Sequence, residues 1–113
     1  MKTNELSGAA LDWAVAKCEG IHLIADFTQY KPSESWAVGG SVVEREQINI
    51  RFIAPNSSTP PCWAFKSVEF DEYNVEAWAD TPLIAAMRCY VASKLGNEVE
   101  VPEELNIHNQ EGE

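Results

Sequence analysis

The chain has 113 residues, 45% of them hydrophobic, and a formal net charge of −10 at pH 7. This length is that of one ordinary domain, and so large an apolar fraction excludes wholesale disorder. No apolar run is long enough to span a bilayer, and the negative charge argues against direct binding to nucleic acid or to an anionic membrane, because both need a cationic surface.

The acidic residues are unevenly distributed along the chain. Residues 97–113 hold six acidic residues and no lysine or arginine, whereas residues 1–96 hold twelve acidic and eight basic residues. We therefore expect a single folded domain over residues 1–105, followed by a polar, acidic and frayed tail over residues 106–113. The N-terminal segment lacks the apolar block of a signal peptide, so a cytoplasmic protein is expected.

Two helices are predicted together with both of their ends. The first covers residues 6–20, where Ser7 occupies the capping position and a glycine closes the helix. The second covers residues 81–96, where Thr81 can cap the first turn and Gly96 fits the left-handed conformation that ends a helix. Each helix has an apolar stripe at helical spacing, so each is expected to pack against a core.

The residues between these helices predict shorter elements of both kinds. Residues 21–27 are β-branched and aromatic, which indicates a strand, and alternation over residues 48–53 with a partner at residues 62–68 indicates an antiparallel hairpin. A capping-box pattern predicts a short helix over residues 41–47, and the acidic residues 71–79 are interpreted as a loop. The sum is an α+β domain with two main helices and one short helix packed on a small, mostly antiparallel sheet of about three strands.

Several of these segments resemble a known protein family. They are residues 6–16, residues 81–96 and, between them, Tyr30-x-Pro32-Ser33-x-x-Trp36-x-x-Gly39-Gly40 with Glu44-Arg45-Glu46. Together they resemble the NinX family of small proteins of lambdoid bacteriophages, over most of residues 3–105. In that family a proline often stands where this chain has Ser41, and either residue can begin a helix. The resemblance implies a phage accessory protein made in the cytoplasm of an infected bacterium. It implies no enzymatic activity and no catalytic residue, because the family has no established biochemical function to carry over.

The central loop and the short helix after it are the best candidate for a binding site. A helix that starts at Gly-Gly-Ser lets backbone N–H groups approach a ligand, and the helix dipole there favours an anion such as phosphate. Arg45 lies one turn further on and can form paired hydrogen bonds with phosphate, while Tyr30 and Trp36 offer rings on which a base can stack. These features predict a site for a small anionic, nucleotide-like ligand that comprises Tyr30, Ser33, Trp36, Gly39, Gly40, Ser41 and Arg45.

Each of these residues also has a purely structural interpretation. The two rings can seal the open side of the sheet, and the glycine pair can be a simple turn. Arg45 can pair with an acid, for which the candidates are Glu46, Glu44 and Asp12. For any single residue the structural interpretation is the stronger one, whereas the combination favours a pocket more than its members do separately.

Three functions follow from these observations. The first is a non-enzymatic protein, expected as a homo-oligomer, that sequesters a small anionic ligand such as a nucleotide or a nucleotide-derived signal of host defence. The second is an acidic interaction module that binds and inhibits a host protein by imitating nucleic acid. An enzyme is the least supported class, because no nucleophile or acid–base pair is recognisable and the three cysteines are scattered. We expect no metal and no cofactor.

Overall fold

The computed structural model of the chain describes residues 1–21, 30–53, 60–67 and 74–102. A short 3-10 helix at Thr3–Glu5 precedes three α-helices, namely α1 (Gly8–Glu19), α2 (Trp36–Glu46) and α3 (Pro82–Leu95). Three strands, β1 (Asn49–Phe52), β2 (Cys62–Ser67) and β3 (Asn74–Ala79), form an antiparallel sheet in the order β1-β2-β3. The predicted α+β class is confirmed.

The ends of α1 and α3 lie where the sequence predicts them. Ser7 is the N-cap residue of α1, and Gly20 closes that helix in the left-handed conformation, with φ of 72°. The Thr81 hydroxyl accepts a hydrogen bond from the Ile84 N–H at 3.2 Å, which satisfies one donor of the first turn of α3. Gly96 follows the last residue of α3 with φ of 86° and ψ of −165°, a conformation that favours glycine but is not the predicted left-handed helical one.

The prediction that the middle helix begins at Ser41 is wrong, because α2 begins at Trp36 with Ser35 as its N-cap residue. Glycine weakens a helix by roughly 1 kcal/mol relative to alanine, so two adjacent glycines favour a helix start rather than a helix interior. Gly39 is required for packing instead: a Cβ atom built on it would lie 2.2 Å from the Pro32 carbonyl oxygen and 2.7 Å from the Leu83 Cδ1 atom. Helix α2 therefore includes the glycine pair, and at Gly39 it packs too closely for a side chain.

The prediction of a loop at residues 71–79 is wrong for its second half, which forms β3. The apolar–polar alternation is weak in this strand because two of its inward-facing residues, Ala77 and Ala79, are small; they are 1% and 3% exposed. The predicted hairpin is confirmed, with Ile50 opposite Ala64. The strand expected at residues 21–27 lies, apart from its first residue, outside the described residues, as does the tail over residues 106–113.

The core lies between the sheet and the helices. Helix α3 packs across all three strands, and α1 and α2 pack against α3. Alanines on both elements, such as Ala64 on the sheet and Ala86 on α3, are fully buried and allow a close approach of the two layers. The segment after α3 returns to the N-terminus, where the ammonium group of Met1 donates a hydrogen bond to the Val99 carbonyl oxygen at 2.9 Å. Among the described residues, no helix combines the length and the apolar character needed to cross a membrane.

Candidate functional site

The glycine pair and Ser41 do not provide the anion site that the sequence predicts. All three residues lie inside α2, where backbone N–H groups are bonded within the helix. The Gly39 N–H donates to the Ser35 carbonyl oxygen at 2.7 Å, and the Ser41 hydroxyl donates to the Val38 carbonyl oxygen at 2.7 Å. The expected cradle of available N–H groups therefore does not form at these positions.

Trp36 and Arg45 lie at opposite ends of α2. They are nine positions apart in the sequence, which corresponds to about 14 Å along the helix axis and about half a turn around it. The Trp36 ring is 53% exposed and lies beside Gly40, 3.4 Å from where a Cβ atom would stand. A small ligand that contacted both side chains would therefore have to reach around α2 and along its length.

Arg45 is held by two carboxylates of the protein itself. Its Nη1 and Nη2 atoms donate to the Glu19 carboxylate at 3.0 and 2.6 Å, and its Nε atom donates to Glu46 at 3.0 Å. These hydrogen bonds raise the pKa of Arg45, with Glu19 making the larger contribution. The structural interpretation in which Arg45 pairs with Glu46 is confirmed, and Glu19 is a second partner that was not predicted.

These contacts belong to a larger group that we call the C-terminal charge cluster. Glu46 also accepts from the Lys66 Nζ atom at 2.9 Å and lies 3.7 Å from the Lys94 Nζ atom, and the Tyr90 hydroxyl donates to Glu19. A hydrogen bond from Arg45 lowers the pKa of Glu19. Burial alone would raise the pKa of Glu46, but hydrogen bonds from Lys66 and Arg45 lower it. The cluster comprises Glu19, Arg45, Glu46, Lys66, Tyr90 and Lys94.

The cluster lies where the three helices end. Glu19 is the last residue of α1, Glu46 is the last residue of α2, and Lys94 is in the last turn of α3. The C-terminal end of a helix carries a partial negative charge, so cations are stabilising there. Each helix has one in its last turn, namely Lys17, Arg45 and Lys94. Basic side chains of the protein therefore compensate the partial negative charge at this end of the helix layer.

A cavity of about 320 Å³ lies at the other end of the helix layer, and we call it the N-terminal cavity. Its volume is within the range of small-molecule sites, about 300–1,000 Å³. It is lined by residues from three separate segments of the chain: Gly8, Ala9, Asp12, Lys31, Ser33, Glu34 and Ile84.

The N-terminal ends of all three helices meet at this cavity. Gly8 and Ala9 are the first two residues of α1, Ser33 and Glu34 directly precede the N-cap of α2, and Ile84 is the third residue of α3. The N–H groups of a first helical turn have no acceptor within the helix, and together with the dipole they favour an anion. None of these three described helices has an acidic residue in its first turn. The partial positive charge at this end of the helix layer is therefore not compensated by acidic residues in the first turns.

Two carboxylates nevertheless line the N-terminal cavity. The Ser33 N–H donates to the Asp12 Oδ1 atom at 2.9 Å, and Asp12 is 4% exposed. Burial raises the pKa of Asp12, and the hydrogen bonds from Ser33 offset part of that effect. Glu34 is exposed and lies 3.8 Å from the Lys31 Nζ atom. The cavity thus combines positive helix ends and a lysine with two acceptors for hydrogen-bond donors.

Of the seven residues in the predicted site, Ser33 alone is among those that line the N-terminal cavity. Tyr30 is half-buried against the core, and burial, reinforced by the charges of Glu19 and Asp12, raises its pKa to about 12. Sequence reasoning located the starts of α1 and α3 but missed Lys31 and the convergence of the helix starts, because neither follows from local patterns. The assignment of the other six residues to a ligand stays a prediction. Among the described ranges, no group of residues with the composition of a metal site is found.

Comparison with known proteins identifies a family. No curated protein matches the chain. A family model described as "Bacteriophage P22, NinX" matches residues 2–94, which confirms the resemblance found in the sequence. Because this match covers more than half of the chain, the protein belongs to the bacteriophage P22 NinX family.

Proposed function

We propose that this phage protein acts without catalysis, by binding a small anionic ligand in the N-terminal cavity. The observation that carries the proposal is the convergence of three helix N-termini, none with an acidic first turn, on one cavity of ligand size. An anionic group placed there would accept hydrogen bonds from the first-turn N–H groups of α1, at Gly8 and Ala9, and lie near the Lys31 ammonium.

The ligand class is narrowed by the remaining walls of the cavity. Asp12 and Glu34 can accept hydrogen bonds from donor groups, and Ile84 offers an apolar contact. A nucleotide combines these properties, because it carries an anionic phosphate, a flat base with donors, and little other charge. We therefore propose a nucleotide or nucleotide-derived signal of host defence, which a phage would gain from sequestering in the host cytoplasm.

The proposal is tested by titrating the protein with mono-, di- and cyclic nucleotides and with inorganic phosphate, using calorimetry. Substituting Lys31→Gln should weaken binding about tenfold, because a hydrogen bond to a charged group is lost. Lys17→Gln removes the same charge from the exposed side of α1 and is the matched control. Binding that is unchanged in both variants, or the absence of heat at millimolar ligand, rejects the cavity as the site.

A variant at the opposite end of the helix layer separates this proposal from the site predicted first. Arg45→Gln leaves the N-terminal cavity intact, so it should not change the affinity of a ligand bound there. The measurement is made at a temperature at which the variant is fully folded, since Arg45 contributes to the C-terminal charge cluster. Loss of binding in Arg45→Gln with retention in Lys31→Gln would instead assign the ligand to the neighbourhood of Arg45.

The acidic interaction module is a second candidate, favoured by the exposed acids on the described part of the fold. They include Glu5, Glu44, Glu76, Glu98 and Glu100, so the acidity is not confined to the tail. Capture of a host protein from lysate, by the full chain and by a chain ending after residue 102, tests whether the folded surface suffices. A cut at residue 96 is unsuitable, because Val99 is 5% exposed and bonded to Met1.

A further inference from the structure

The two edges of the sheet present their backbone groups differently. The Ile53 N–H donates to the Pro61 carbonyl oxygen at 2.9 Å, so position 53 points toward the chain segment that forms β2. Backbone direction alternates along a strand, and positions 49 and 51 therefore also point toward β2. It follows that the N–H and C=O groups of Ile50 and Phe52 point away from the sheet.

At the β3 edge, a side chain of α3 bonds to one backbone carbonyl group. The Arg88 Nη1 atom donates to the Trp78 carbonyl oxygen at 2.7 Å, and its Nε atom donates to the Leu6 carbonyl oxygen at 2.7 Å. At the β1 edge, no such bond to Ile50 or Phe52 is made by the described residues. The outer strand is also accessible, because the Phe52 side chain is 74% exposed. An open strand edge is a template for pairing with another chain.

The charge at the β1 edge indicates what kind of strand it accepts. Arg51 is the single charged residue of β1 and is exposed. Its guanidinium lies 6.0 Å from the centre of the Phe65 ring, and no carboxylate of the described ranges pairs with it. This is an unpaired cation in a chain of net charge −10. A carboxylate on an added strand would lie opposite a cation that has no carboxylate partner among the described residues.

Pairing of β1 with a second copy of itself is disfavoured by the same residue. A two-fold arrangement that uses both outward positions, Ile50 and Phe52, places Arg51 directly opposite Arg51 of the other copy, and like charges in that position are destabilising. The alternative register about Ile50 needs the outward groups of Ile48, whose N–H already donates to the Val43 carbonyl oxygen at 3.0 Å. Self-association in either of these two registers is therefore disfavoured.

We infer that the β1 edge binds an extended segment of a partner protein in which acidic and apolar residues alternate. The segment adds a fourth strand through hydrogen bonds to Ile50 and Phe52, with an acidic residue opposite Arg51 and apolar residues opposite its two neighbours. This surface is separate from the N-terminal cavity, so the inference stands independently of the proposed ligand.

Two end-blocked pentapeptides test the inference, one alternating glutamate with valine and one alternating lysine with valine. Titration is followed by the amide resonances of Ile50 and Phe52 in the labelled protein. The glutamate peptide should bind about two- to fivefold more tightly, the range expected for one cross-strand charge pair. Attraction by the net charge alone would favour the lysine peptide, so that order of affinity overturns the inference. Arg51→Glu should reverse the preference.

A pair of variants at Phe52 tests the backbone contact itself. Phe52→Pro removes an outward N–H and leaves the bonds between β1 and β2 intact, so it should weaken binding several-fold more than Phe52→Ala does. Hydrogen exchange gives an independent check, because the Ile50 and Phe52 amides should exchange rapidly in the unbound protein and more slowly with peptide. Protection of both amides in the unbound protein, or concentration-dependent dimerisation through β1, would overturn the inference.

Discussion

The two ends of the helix layer carry opposite partial charges, and the chain compensates them differently. At the C-terminal end, Arg45 and Lys94 face the negative dipole ends and are bonded to, or close to, carboxylates of the chain. At the N-terminal end, first-turn acids are missing from all three described helices, and a cavity occupies the place where they would act. The difference teaches that charged side chains at the helix ends are bonded to one another at the arginine end, whereas at the opposite end a cavity lies beside the first turns of the helices.

The largest expected effect concerns the packing that shapes the N-terminal end. Gly39→Ala should destabilise the protein by about 2 kcal/mol or more, because the added Cβ would overlap the Pro32 carbonyl oxygen, which belongs to the turn that positions Ser33. Gly40→Ala should stabilise it by about 0.5–1 kcal/mol, because alanine favours a helix and its Cβ meets only ordinary contact at 3.4 Å. Urea unfolding of the two variants measures the difference.

This pair of variants also tests where α2 begins. If residues 39 and 40 were a loop before a helix that starts at Ser41, alanine at position 40 would gain no helical stability. Equal effects of the two substitutions would therefore contradict both the start of α2 at Trp36 and the close contact at Gly39.

The next effect compares one carboxylate from each end of the layer. Glu46→Gln should cost about 1–2 kcal/mol, because the Lys66 ammonium, in a side chain that is 15% exposed, loses its partner beside two other cations. Glu34→Gln should cost less than about 0.5 kcal/mol, because its side chain is 65% exposed and lies 3.8 Å from Lys31. Chemical denaturation at pH 7 measures both. A larger loss for Glu34→Gln would mean that the N-terminal end is the one held by ion pairs.

The sequence predicts local structure well where both ends of an element have clear signals. Thr81, Pro82 and Gly96 bound α3 as expected, since capping depends on residues close in the chain. The start of α2 could not be predicted, because Gly39 is required by contacts with Pro32 and Leu83, which are distant in space until the chain folds. The candidate site could not be predicted for the same reason. The sequence predicts Arg45 one turn after a helix start, which is wrong, because Arg45 lies in the last turn of α2. Its partner Glu19 lies on another helix, and only the fold brings them together.

The smallest effect is on the pH dependence of stability, which should have opposite signs at the two ends. Hydrogen bonding depresses the pKa of Glu46 below its usual 4.5, so its contribution is present above that value and is lost as the pH falls through the folded pKa. Burial raises the pKa of Asp12 above its usual 3.8, so its charged form costs stability at neutral pH, and that cost is relieved as the pH falls through the raised pKa. Acidification from pH 7 should therefore destabilise Glu46→Gln less than the parent protein and Asp12→Asn more.

The asparagine variant keeps an oxygen that can accept from the Ser33 N–H, so the comparison isolates the charge. Urea unfolding free energies at a series of pH values between about 3 and 7 give the slopes. If the parent protein loses stability less steeply than Glu46→Gln on acidification, or more steeply than Asp12→Asn, the opposite pH dependences expected of these two carboxylates are contradicted.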